Sequence, residues 1–98
     1  MPLTANGPHP RQVGPLLNLA AELLKTGRSA DAVAPLQQAA LLRPFDPLIQ
    51  HDLGLACLES GRLPQAIAAF QRAVSSEPRY ANAYFRLGIA LLSITQIF

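Results

Sequence analysis

The feature that most constrains this chain is that it writes one unit twice. Pro44 and Pro78 stand 34 positions apart, and the same step carries Leu19 onto Leu53, Gly27 onto Gly61, Arg28 onto Arg62, Ala32 onto Ala66 and Ala39 onto Ala73. One more step brings Leu53 to Leu87, Gly54 to Gly88 and Ala56 to Ala90, so a third copy opens at Ala81 and stops within the unit. A period of this length is the signature of a stacked helical array, in which each unit buries its apolar face against the next.

Within the unit the apolar spacing is helical. Leu16, Leu19 and Leu23, then Ile49, Leu53 and Cys57, then Tyr84, Leu87 and Leu91 recur at three and four, which predicts one apolar face on the first helix of each copy. Half of the residues are apolar, and alanine and leucine outnumber the β-branched types, so propensity agrees with helix. Gly27 and Gly61 supply the left-handed residue that ends a helix, and Pro64 restarts the second helix where its missing N–H costs nothing. The second helices carry Ala32, Leu36, Ala39 and Ala40, then Ala66, Ile67, Phe70, Ala73 and Val74. Small residues there let the two helices of a hairpin approach closely while Phe70 fills the remaining gap. Pro44 and Pro78 close each hairpin by pushing the preceding residue out of the helical region. Pro35 falls inside the second helix of the first copy, which predicts a kink or a late start there. The expected organisation is a disordered leader over 1–12, proline-rich and without apolar period, then a helical domain over 13–98 divided as 13–46, 47–80 and 81–98.

Composition removes several functions. Eight basic residues against six acidic ones leave a net charge of +2, and the basic residues are scattered, so nothing forms the electrostatic footprint of a nucleic-acid binder. No apolar run approaches a membrane span, and the single cysteine, Cys57, excludes an intramolecular disulfide framework. A cytoplasmic protein without membrane or nucleic-acid contact is the expectation. Cys57 belongs to an apolar helix face and reads as a buried small hydrophobe. His9 and His51 form no cluster at zinc-ligand spacing, and the glycines make no phosphate loop, so no metal or cofactor is implied. His51 and Asp52 are sequence neighbours that leave a helix roughly 100° apart, which predicts no working dyad and, without a placed nucleophile, no enzyme.

The copy over 47–80 resembles the tetratricopeptide repeat through Leu53-Gly54, Gly61, Ala66, Phe70, Ala73 and Pro78. The copy over 13–46 matches less closely, with Leu19-Ala20, Gly27, Ala32, Leu36, Ala39 and Pro44. The bulky aromatic usual in the first helix is Leu16, then Gln50, and returns only as Tyr84. The resemblance implies an all-α fold of about five helices, stacked as antiparallel hairpins in a right-handed superhelix, with two full repeats and a partial third. It also implies a concave groove lined by the first helices, through Leu17, Asn18 and Ala21, then His51, Asp52 and Leu55, then Phe85, Arg86 and Ile89.

These residues point to a non-enzymatic scaffold that holds a partner peptide in its groove. In the blander reading Leu55 and Ile89 only pack between helices, and Asp52 and Arg86 form a surface pair worth about 0–1 kcal/mol. Repeats of this family that grip chaperone carboxylate tails use lysine, asparagine and arginine where this chain has Leu17, Ala21, Asp52, Asn82 and Arg86; only Arg86 fits, and Asp52 repels a carboxylate. Asn18 and Asp52 also resemble the asparagine ladder in the repeat arms of protein glycosyltransferases. One alternative is therefore the substrate-recognition arm of a larger glycosyl- or sulfotransferase. The other is a self-association module, because Leu91, Leu92, Ile94, Ile97 and Phe98 give the last helix an apolar surface and Thr95 replaces the turn glycine. A homodimer through that helix is the corresponding expectation.

Overall fold

A computed structural model of the chain describes residues 10–96, and among them every regular element is helical. A short 3-10 turn, Pro10–Gln12, leads into α1 (Val13–Lys25); α2 (Ser29–Leu42), α3 (Pro47–Glu59), α4 (Leu63–Ser76) and α5 (Ala81–Gln96) follow. The expected leader over 1–12 thus ends in ordered backbone from Pro10 onward, and the rest of that segment lies outside the described residues.

The two hairpin turns are built from the same hydrogen bonds. After α1 the Arg28 N–H donates to the Leu23 carbonyl at 2.7 Å and the Gly27 N–H to the Leu24 carbonyl at 3.2 Å. After α3 the Arg62 N–H donates to the Cys57 carbonyl and the Gly61 N–H to the Leu58 carbonyl at those same distances. This is the Schellman arrangement, and it requires the left-handed residue that Gly27 and Gly61 provide, each at φ 80°. The exits are paired too. Arg43 and Glu77 cap α2 and α4 by donating to the Ala39 and Ala73 carbonyls, and the proline that follows each one prevents another turn.

Of the two outcomes expected at Pro35, one does not occur. The helix α2 starts at Ser29 and runs without interruption to Leu42, so there is no late start. The ring removes the backbone hydrogen bond to Asp31, which is an exposed residue open to solvent.

The core forms where α2, α3 and α4 meet. Ala32, Val33, Leu36, Leu53, Ala56, Cys57, Ala66, Ala69 and Phe70 are all buried in one cluster that Ala20 and Ala90 extend to the outer helices. The helices α1 and α5 each lie against this centre, and the molecule is drawn out to 48 × 28 × 22 Å, as expected for units added along one direction. The central contact is between Gly54 and Phe70. A Cβ at Gly54 would come within 2.6 Å of the Phe70 ring, so glycine is what permits α4 to seat its phenyl group on α3.

The expected apolar faces of the first helices are only partly buried. Ile49, Leu53 and Cys57 are enclosed, but Leu19, Tyr84 and Leu91 are exposed. The reason is position: α3 has neighbours on both sides, whereas Leu19 and Leu91 belong to helices covered on one.

Candidate functional site

The residues assigned to the groove fall on α1, α3 and α5, the first helices of the successive units. On α1, Asn18 and Ala21 are exposed, while Leu17 is half-buried and packs against the core. On α3, Leu55 and Asp52 are half-buried and His51 is buried. On α5, Phe85 is 67% exposed, and Arg86 and Ile89 are half-buried. The face therefore combines an exposed aromatic ring, an exposed amide and one charge of each sign, with aliphatic side chains between them.

His51 and Asp52 do meet, contrary to the expectation from their angular separation. The His51 Nδ1 lies 3.3 Å from the Asp52 Oδ1, because two neighbouring side chains of this length can lean together although their Cβ atoms diverge. Asp52 is thus engaged by His51, and the surface pair of Asp52 with Arg86 supposed by the blander reading is not among the ion pairs of the described residues. The imidazole is enclosed by Phe70, at a centroid distance of 5.8 Å, and by Tyr80, at 5.2 Å. Its Nε2 is buried without a hydrogen-bond partner. Burial raises the Tyr80 phenol above its ordinary pKa, and the carboxylates of Asp52 and Asp46 push it the same way. Tyr80 was not among the residues singled out from sequence; the hint was its place just before α5, where Asp46 stands before α3.

Asp46 has a structural task. Its carboxylate accepts from the Leu48 N–H at 3.0 Å and from the Ile49 N–H at 3.4 Å, capping α3 directly ahead of Pro47. Cys57 is 1% exposed, and burial pushes its thiol above the usual pKa against a small opposing pull from Arg62. That agrees with a packing role, since a reactive thiol needs exposure and a lowered pKa.

Of the residues assigned to self-association, Leu91 and Leu92 are exposed on α5 and Ile94 is half-buried; Ile97 and Phe98 lie outside the described residues. Thr95 stays helical, its hydroxyl donating to the Leu91 carbonyl. Among the described residues no group of three or more histidine, cysteine, aspartate or glutamate side chains is placed to hold a metal ion, and no helix is long and apolar enough to cross a membrane.

Compared with known families, residues 54–94 match the TPR repeat. A search of the curated proteins gives no match.

Proposed function

We propose, for a chain whose residues 54–94 match the TPR repeat, that it acts as a protein–protein interaction module whose partner peptide lies along α1, α3 and α5. The observation that carries this reading is Phe85. A ring 67% exposed on the second turn of α5 costs hydration free energy unless something covers it, and it stands next to Arg86 in the sequence. Asn18 offers an amide that donates and accepts, which suits the backbone of an extended peptide. Asp52, fixed by His51, sets a negative charge at the middle of the face, and Arg86 a positive one on α5.

The test is selection from a random-peptide display library on the full chain, followed by titration of the recovered peptide against variants. Phe85→Ala and Arg86→Glu, both at positions that leave the core intact, should each weaken binding about tenfold. Peptides that bind both variants as tightly as the parent chain would remove this face from consideration.

A second reading is favoured by Leu91 and Leu92, which stand side by side on α5 at 44% and 65% exposure. On that reading α5 joins two copies of the chain. Leu92→Glu would then shift sedimentation from dimer to monomer, while a parent chain that stays monomeric across a wide concentration range would dismiss it.

A further inference from the structure

A channel runs on the other side of α3. Its larger part, about 580 Å³, is floored by Gln50, Leu53 and Cys57 of α3 and walled by Leu41 of α2, Phe45 of the following loop and Arg72 of α4. A second hollow of about 400 Å³ continues it along α4 and shares Phe45 and Arg72 with it. By the roughly 100° step of a helix, the three floor positions centre about 170° away from His51, Asp52 and Leu55, so the channel and the face described above occupy opposite sides of α3.

Three observations say what would fill it. First, the walls are apolar and unusually open: Leu41 is 72% and Phe45 81% exposed. Second, Gln50 is 3% exposed, its Nε2 donates to the Pro44 carbonyl at 3.2 Å, and its Oε1 has no partner. A buried acceptor left unmet is costly, and because Gln50 lines the channel, a donor inserted there is the group that would satisfy it. Third, among the described residues Arg72 is the only charged one lining either hollow, and none of those lining them is an aspartate or glutamate.

We propose that this channel is a binding site for an acidic partner segment that inserts an aromatic side chain bearing a ring N–H, as in a tryptophan flanked by carboxylates. The ring covers Phe45 and Leu41, its N–H meets the Gln50 Oε1, and a flanking carboxylate pairs with the Arg72 guanidinium. The volume lies within the range that holds a ligand of this size. The site does not depend on the face formed by α1, α3 and α5, and a chain can use either without the other.

The experiment is a titration of the full chain, labelled with nitrogen-15, with acetyl-Glu-Trp-Glu-amide, followed by amide chemical shifts. The expected result is a set of shifts at Phe45, Gln50, Ala68 and Arg72, including the Gln50 side-chain amide, with a Kd of about 1 mM for so short a peptide. Arg72→Glu should weaken binding about tenfold and Phe45→Ala about fivefold. Both residues are exposed, so the variants keep the fold, which circular dichroism verifies. Equal binding of acetyl-Lys-Trp-Lys-amide would overturn the proposal, as would shifts confined to Asp52, Leu55 and Arg86, or an absence of shifts up to about 10 mM peptide. The second of these results would strengthen the reading of the opposite face, so the two fail separately.

Discussion

The first and second hairpins carry the same unit, yet they bury it differently. Positions of the second helices agree closely: Ala32 and Ala66, Leu36 and Phe70, Ala39 and Ala73 are all at or below 1% exposure. Positions of the first helices diverge, Leu19 being 50% exposed and its counterpart Leu53 only 7%. Each second helix lies between two first helices, α2 between α1 and α3 and α4 between α3 and α5, so the first group has the same kind of surroundings in both copies. The second group depends on the preceding hairpin, and α1 has none among the described residues. Burial in a repeat protein is thus a property of a residue and its neighbouring unit together.

The hairpins also differ by a matched exchange. Where the second has Gly54 under Phe70, the first has Ala20 with Leu36, and each pair is enclosed. A smaller residue on one helix accompanies a larger one on the other. The weaker resemblance of the first copy to the tetratricopeptide repeat is therefore one change of packing shared between two positions.

The largest expected effect separates the two leucines. Leu53→Ala should cost about 2–5 kcal/mol, whereas Leu19→Ala should stay near 0.5 kcal/mol, measured as urea midpoints at constant m value. Equal losses would mean that position in the unit, and not the neighbouring hairpin, sets burial. Next, Gly54→Ala should destabilise by about 1–3 kcal/mol through contact with the Phe70 ring, against a helix-propensity gain of about 1 kcal/mol. Adding Phe70→Leu should reverse part of that loss, since the pair then copies Ala20 and Leu36; a double-mutant cycle with no coupling would break the argument.

Removing the cap by Asp46→Ala should cost about 1 kcal/mol in thermal denaturation. The smallest effect is on pH dependence. The Cys57 and Tyr80 pKa values are raised in the folded chain, so each holds its proton longer there than in the unfolded chain. Their contribution is complete below the unfolded pKa values, about 8.5 for cysteine and 10 for tyrosine, and declines as pH rises through the folded ones. The first hairpin has Leu23 in place of Cys57, so Cys57→Ala with Tyr80→Phe should flatten the alkaline side of the stability profile.

Much of the fold was legible because it rests on local rules. A glycine needing positive φ, a proline that ends a helix and a three-and-four apolar spacing each act within a few residues, and a constant period multiplies the signal. The candidate face was legible as a set of positions on the first helices, but its interior was not. The contact of His51 with Asp52, and the enclosure of His51 by Phe70 and Tyr80, join residues whose separation in sequence carries no period. The link from the Ser29 hydroxyl to the Glu59 carboxylate, 2.5 Å long, escaped for the same reason: Ser29 corresponds to Leu63 in the next unit, so the repeat gives no warning of it.

By itself the sequence determined the helices, their turns and the order in which they stack, because propensity, capping and periodicity are properties of neighbouring residues. Tertiary structure alone decided which leucines are buried, that Gln50 is only 3% exposed with an unmet acceptor, and that a channel opens between α2 and α4. The physical reason is that burial and hydrogen-bond satisfaction are set by what a neighbouring helix brings, and that is fixed only when the helices pack.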